Sequence, residues 1–288
     1  MADELTGRTI LMSGGSRGVG LAIALRAARD GANIALLAKT DKPDARLSGT
    51  IHTAAEAIAA AGGHPLPIVG DVRDDAAVEA AVARTVKQFG GIDIVVNNAS
   101  AIDLRLTAEI DMARYDLMQD INCRGTFLLS RSAIPHLRAS ENAHILTLSP
   151  PLDLDPRWAG QYLAYTLAKY GMSLCTLGLA EELRGDGIAA NSLWPRTLIA
   201  TDAVRNLLGG EEAVTQARSP EIVADAAHGI LCRPARDCTG NFFLDDEVLH
   251  DMGVTDLSRY SHGEGELAPD LFVRTVGPAA HLKRTREI

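Results

Sequence analysis

A phenol and an ammonium stand four residues apart in the run Ala164-Tyr165-Thr166-Leu167-Ala168-Lys169. On a helix this spacing puts both groups on one face, a turn apart. A cation beside a phenol favours the phenolate, so Tyr165 can exchange a proton nearer neutrality than its ordinary pKa of about 10 allows. Near the start of the chain lies Ser13-Gly14-Gly15-Ser16-Arg17-Gly18-Val19-Gly20. Gly14, Gly18 and Gly20 form G-x-x-x-G-x-G, a turn tight enough for backbone amides to meet a pyrophosphate at a helix N-terminus. A proton carrier and a dinucleotide turn are the parts of a hydride-transfer site. Each has a bland reading, since Tyr–Lys pairs occur on ordinary helices and glycine turns occur without ligands. Their combination points to an oxidoreductase.

Such groups must be positioned by regular elements, and short apolar runs alternate with helical patterns along the chain. Strands are expected at 9–12, 33–38, 66–69, 92–96, 144–148, 188–193 and 242–244. Helices are expected after the glycine loop through 21–25, then at 51–61, 74–89, 112–138 and 161–183. This alternation predicts an α/β fold, a Rossmann-type doubly wound parallel sheet with helices on both faces and right-handed crossovers. No repeat or linker interrupts residues 1–252, which read as a single domain. Residues 253–288, rich in Gly, Pro and charge, read as an extension packed on that domain or on a neighbouring subunit.

At 288 residues, 47% hydrophobic and 23% charged, the chain can bury a substantial core. A formal charge of −9 disfavours nucleic acid and anionic membrane surfaces as partners. Cys123, Cys175, Cys232 and Cys238 lack metal-ligand spacing, so reduced thiols and no metal are expected. The N-terminal segment carries acids and reaches glycine before any apolar stretch of signal-peptide length. No run approaches the ~20 apolar residues of a membrane span. The cytoplasm is the expected compartment.

Asp71, in Gly70-Asp71-Val72 after the third strand, is placed to accept from an adenine amino group or to cap the next helix. NAD sites usually present an acid after the second strand to the ribose hydroxyls, whereas NADP(H) sites present cations to the 2′-phosphate. Here the second strand runs into Lys39 and Thr40 with no acid before Asp41, and Arg17 adds a cation from the glycine loop. Either cation taken singly reads as a solvated surface charge. Flanking one phosphate position together, they favour NADP(H).

The glycine run, Asp71, Asn97-Asn98-Ala99, Asn122 and Tyr165-x-x-x-Lys169 come in an order that resembles the short-chain dehydrogenase/reductase family over almost the whole chain. Segments 38–40, 49–58, 90–102, 148–154, 168–173 and 194–197 resemble a subgroup described as hydroxysteroid dehydrogenase-like. Members of that subgroup often carry a sterol-carrier domain, which is not expected within these residues. The resemblance implies roles. Tyr165 would be the general acid/base toward the substrate oxygen. Lys169 would hold the nicotinamide ribose hydroxyls and favour the tyrosinate. Asn122 would hold a water in a proton relay to Lys169, unless its amide is used on backbone. Gly14, Ser16, Arg17, Gly18, Val19 and Gly20 would line the cofactor, followed by Lys39, Asp71, Val72, Asn98, Ala99 and Pro195. A homodimer or homotetramer built on the helices at 112–138 and 161–183 is implied as well.

The chain also departs from the family pattern. The serine expected before the tyrosine to polarise the substrate carbonyl is absent at its usual distance, where Leu152 stands. Counting from the end of the fifth strand, Ser149-Pro150 replaces a serine pair, leaving Ser149 to polarise the carbonyl or merely to satisfy strand-end backbone. Pro195-Arg196 replaces Pro-Gly, and Arg196 reads either as a contact for an acidic group or as a solvated loop residue. Residues 150–158 are expected to wall the cleft and 197–210 to form its lid. Trp158, Tyr162 and Trp194 offer an apolar lining. The leading expectation is an NADP(H)-dependent oxidoreductase interconverting an alcohol and a carbonyl on a small or apolar, lipid-like substrate. The alternative is a catalytically weak NADP-binding sensor or scaffold, which the missing second serine favours.

Overall fold

The computed structural model describes residues 4–45 and 47–274. Seven strands, β1 (Thr9–Ser13), β2 (Asn33–Ala38), β3 (His64–Val69), β4 (Ile94–Asn97), β5 (His144–Thr147), β6 (Ala189–Trp194) and β7 (Phe242–Leu244), pair in parallel. Their order is β3-β2-β1-β4-β5-β6-β7. β1, β4, β5 and β6 are buried along their whole length, because helices cover both faces of the sheet. The helices are α1 (Gly18–Ala28), α2 (Ile51–Ala60), α3 (Asp75–Phe89), α4 (Met112–Met118), α5 (Gly125–Leu137), α6 (Pro156–Gln161) and α7 (Leu163–Glu182). Four more follow: α8 (Asp202–Val204), α9 (Gly210–Thr215), α10 (Glu221–Leu231) and α11 (Asp245–Asp251). One apolar cluster packs α1, α2, α10 and α11 on one face, and a second packs α3, α5 and α7 on the other. This is the single-domain Rossmann-type α/β sheet that the alternation predicts.

Several elements differ from the pattern reading for identifiable reasons. β3 begins at His64 and contains Pro65 and Pro67, which an edge strand tolerates because alternate N–H groups face away from β2. The segment 112–138 is helical throughout but loosens into a π-turn at Gln119–Arg124, between α4 and α5. Such bulges cluster at functional sites, and this one carries Asn122. The segment 161–183 is broken at Tyr162, where φ −145° and ψ 57° separate α6 from α7. Helices α10 and α11 were not among the expected elements. The signal for α10 was legible: Pro220 precedes it, and Ile222, Val223, Ala226, Ala227 and Ile230 make a buried stripe at helical spacing.

Residues 261–270 run back across the loops after β6. Arg218 bridges Ser261, and Thr197 bridges Pro269. Ala268 N–H donates to Gln216 O at 2.9 Å, and Asp270 N–H donates to Arg196 O at 3.0 Å. Residues 275–288 of the expected extension lie outside the described residues.

Between β1 and α1 the chain touches β4's exit closely. The Asn98 side-chain amide donates to Gly14 O at 2.7 Å. A Cβ at Gly20 would sit 2.5 Å from Asn98 Nδ2 and 2.6 Å from Gly14 O, inside that hydrogen bond. Gly20→Ala is therefore expected to lower stability by about 1–3 kcal/mol, overpacking outweighing alanine's better helix propensity. A urea midpoint equal to or above that of the wild type would contradict the packing argument.

Candidate active site

The sheet reverses its winding between β1 and β4, and the crevice beyond the strand ends there is where open α/β sheets bind ligands. A cleft of about 900 Å³ opens at this point, within the range of small-molecule sites. It is lined at one end by the glycine turn and at the other by Tyr165 and Lys169.

At the nucleotide end, Gly14 takes φ +75° and rests on Ala99, so that a Cβ there would meet Ala99 Cα at 2.8 Å. The Ser13 hydroxyl accepts from the N–H groups of Asn98 at 3.3 Å and Ala99 at 3.2 Å. Ser16, Arg17, Val19, Asn98 and Ala99 face the cleft, while Gly18 and Gly20 lie in the first turn of α1. Arg17 donates from Nη2 to Gly49 O at 3.3 Å, and its buried Nε has no partner. An orphaned guanidinium N–H on a cleft wall suits a phosphate oxygen, so the residues present fit a dinucleotide. Lys39 also faces the cleft, 3.5 Å from Asp71. Asp71 accepts from the Arg73 guanidinium at 2.7 and 3.1 Å and from Arg73 N–H at 3.0 Å, contacts that hold its carboxyl down to about 2. Its charge is already engaged, and the helix-capping role belongs to Asp74 instead. Arg73 was missed by pattern reading, although a cation two residues after an acid is a visible signal. Val72 and Pro195 complete the lining.

At the catalytic end the Lys169 ammonium is buried. It donates to Leu148 O at 2.7 Å, touches Met172 Sδ at 3.4 Å and lies 4.9 Å from the Trp194 ring centroid. Burial pushes it down to about 7, with Asp270 opposing. Tyr165 sits on the same face, and Ser100 lines the cleft close enough to favour its ionised form, the smallest of the influences on the phenol. Contrary to the expected depression by Lys169, burial raises the phenol well above its usual range, and nearby Asp270 adds to the effect. Asp270 is half-buried on the cleft wall and pushed up to about 8 by desolvation.

Two expected catalytic residues are used differently. Asn122, on the π-turn, accepts from Ala101 N–H at 2.7 Å and donates to Ala101 O at 3.0 Å. Its side-chain amide is spent on bracing the loop that carries Ser100. Ser149 is fully buried in a hydroxyl chain, 2.8 Å from Ser192, which is 2.8 Å from Thr176. It does not line the cleft, its hydroxyl being engaged with Ser192 of β6 and through it with Thr176 of α7. Ser100 is the hydroxyl that the fold delivers to Tyr165. Arg196 is tied to Asp246 and, at 2.7 Å, to Glu247, so it is neither solvated nor free for an acidic substrate. Trp158 and Trp194 do line an apolar enclosure, with Tyr162 at its edge.

The similarity of this chain to known proteins agrees with that geometry. Residues 14–229 match the family model described as enoyl-(acyl carrier protein) reductase. The chain belongs to the short-chain dehydrogenase/reductase family. It is 53% identical over 94% of its length to hydroxysteroid dehydrogenase-like protein 2 of Xenopus tropicalis, of which it covers 64%. The human protein of the same name is 50% identical, again with 64% covered, and the rat protein is 53% identical with 51% covered. The chain thus spans one half to two thirds of these relatives. A short-chain dehydrogenase of Mycobacterium thermoresistibile superposes with a TM-score of 0.90 at 56% identity, covering 96% of this chain and 99% of that one. The NADH-dependent reductase A1-R′, in its complex with NAD, superposes at 0.68 with 25% identity over 85% of this chain and 97% of that one. Among the described residues no cluster of His, Cys, Asp and Glu is arranged to hold a metal, and no helix is long and apolar enough to cross a membrane.

Folded Asp270 keeps its proton up to about pH 8, whereas an unfolded aspartate releases it near about pH 4. Between those values the folded state binds more protons, so the contribution to stability is complete below about pH 4 and lost as pH rises through about 8. Asp270→Asn should therefore become progressively more stable than the wild type as pH rises across that window. Urea midpoints that run parallel at every pH would contradict the burial of this acid.

Proposed function

We propose that the chain is an NADP(H)-dependent oxidoreductase that interconverts an alcohol and a carbonyl on a small or apolar, lipid-like substrate, with Tyr165 as general acid/base. The observation that carries this reading is the shared cleft, in which Tyr165 and Lys169 face the glycine turn. The reaction balances as alcohol plus NADP⁺ giving carbonyl, NADPH and a proton. The nicotinamide, when bound, supplies or takes the hydride, and the chain's residues place the carbon and move the proton. In the reducing direction Tyr165 gives its phenolic proton to the oxygen as negative charge gathers there. Ser100, which lines the cleft with that phenol, polarises the same oxygen. Lys169 stabilises the tyrosinate that remains and holds the ribose. Asn122 keeps the Ser100 loop in place through Ala101. Arg17, with its unpartnered Nε, and Lys39 receive the 2′-phosphate. The name borne by the relatives supports a lipid-like substrate.

A second reading, a catalytically weak NADP-binding sensor or scaffold, is favoured by the inward turn of Ser149 and by Phe272 lying against Tyr165. A panel of carbonyls and alcohols, followed by NADPH absorbance, separates the two. Tyr165→Phe should lower kcat by about 10²–10⁴-fold and Ser100→Ala by about 10²-fold, with Ser149→Ala unchanged. Arg17→Ala should raise KM for NADPH roughly ten-fold or more and leave NADH nearly unaffected. Tight NADPH binding with no turnover across the panel would establish the second reading instead.

The chain is also proposed to form a homodimer or homotetramer. Phe127 on α5 and Leu163, Leu167, Leu174 and Leu177 on α7 are 39–57% exposed and make an apolar face that a second copy can cover. Sedimentation should give a mass at least twice that of the chain, and a monomer at micromolar concentration would remove this proposal. All four cysteines are free thiols, which suits a reducing compartment such as the cytoplasm.

A further inference from the structure

Behind Tyr165 and Trp194, which line the apolar end of the cleft, the chain packs a ring of its own. Phe272 is 2% exposed and touches four rings, with centroid separations of 5.9 Å to Trp158, 6.0 Å to Tyr165, 5.4 Å to Tyr170 and 6.1 Å to Trp194. Its backbone takes φ +66°, making it the one non-glycine residue with positive φ among the described residues. A bulky side chain rarely adopts that conformation, so the ring is held there by its contacts and not by local preference. Asp270, two residues earlier, lines the same cleft as Tyr165 and Lys169 and is half-buried there. Its carboxylate accepts from the adjacent Leu271 N–H at 2.6 Å. Outside the cage the strap has few attachments. Trp194 Nε1 donates to Leu271 O at 2.8 Å, and Arg274, whose side chain is 62% exposed, clasps Asp153 at 2.7 and 2.9 Å.

A strained ring and a half-buried acid, held by the Asp270 N–H bond to Arg196 O, one partly buried hydrogen bond and one exposed ion pair, have the character of a removable filling. We infer that the cage of Trp158, Tyr165, Tyr170 and Trp194 is the subsite for the apolar end of the carbonyl substrate. Phe272 is its resident occupant, which substrate displaces. This rests on the reading of the cleft as an oxidoreductase site and narrows its substrate class. The compound carries a compact hydrophobic group, ring-sized or an equivalent folded alkyl segment, next to the reacting carbon. Electron-rich rings on all sides favour an uncharged group with polarised C–H edges. The strap lowers apparent affinity by the fraction of time that it fills the cage.

The two tryptophans of the chain both border the cage, so their emission reports its contents. 4-Phenyl-2-butanone, a ketone with one phenyl ring, is titrated into the full chain in the presence of NADP⁺, a mixture that cannot turn over. Phe272→Ala should bind the ketone roughly ten-fold or more tightly than the wild type. Arg274→Ala, which only opens the exposed clasp, should bind it about two- to five-fold more tightly. Equal or weaker binding by Phe272→Ala, with an unchanged melting temperature, overturns the inference. If Phe272→Ala does not melt cooperatively, Arg274→Ala decides, and no tightening there overturns it. Because binding is read without turnover, failure here leaves the reductase assay intact. An inactive panel, conversely, would not alter the binding result.

Discussion

An ammonium buried beneath the cleft is the constraint around which the site is arranged. Taking a charge out of water is costly unless partners replace the solvent. For Lys169 the partners are the Leu148 carbonyl, just past β5, and the face of Trp194 at the end of β6. Both come from the sheet, so α7 can seat against β5 and β6 in essentially one rotation. Tyr165, a turn earlier on the same helix, is thereby aimed at the cleft. Burial that lowers the lysine raises the phenol, so the two groups hold their protons in opposite senses within one apolar enclosure.

The loop after β4 is held from two sides. Ser13 and Gly14 engage Asn98 and Ala99 from the glycine turn, and Asn122 engages both backbone groups of Ala101 from the π-turn. Ser100 lies between these clamps and is presented to Tyr165. A regular helix at 112–138 would present Asn122 differently, so the π-turn is part of how the loop is positioned. Opposite this loop, Arg17 and Lys39 give the nucleotide end a positive wall, while Asp71 is neutralised by Arg73.

The C-terminal strap changes the character of the substrate end. Phe272 packs among Tyr165, Tyr170, Trp158 and Trp194, and the first and last of these rings line the cleft. With Phe272 among them the aromatic contacts outweigh an unfavourable backbone angle, and Asp270 is carried into a place where its ionised form is disfavoured. The phenol is in turn held protonated by burial and by that acid.

The sequence by itself determined the sheet, the position of the glycine turn and the pairing of Tyr165 with Lys169. These follow from short-range rules, namely apolar runs bounded by turns and side chains one helical turn apart. Fine boundaries were less legible: the prolines of β3 look like breaks until the strand is known to be an edge, and the stripe of α10 was there to be read. Five features were decided only by tertiary structure. Ser149 turns inward because Ser192 and Thr176 wait behind it. Asn122 braces a loop because the π-turn rotates it toward Ala101, and Ser100 comes to line one cleft with Tyr165 from far away in sequence. The phenol's proton is held by burial, and Asp270 and Leu271 line the cleft with Phe272 packed behind it. None of these can be inferred from local spacing, because each depends on which distant group fills the remaining space, and only the folded chain settles how charge and volume are shared among neighbours far apart in sequence.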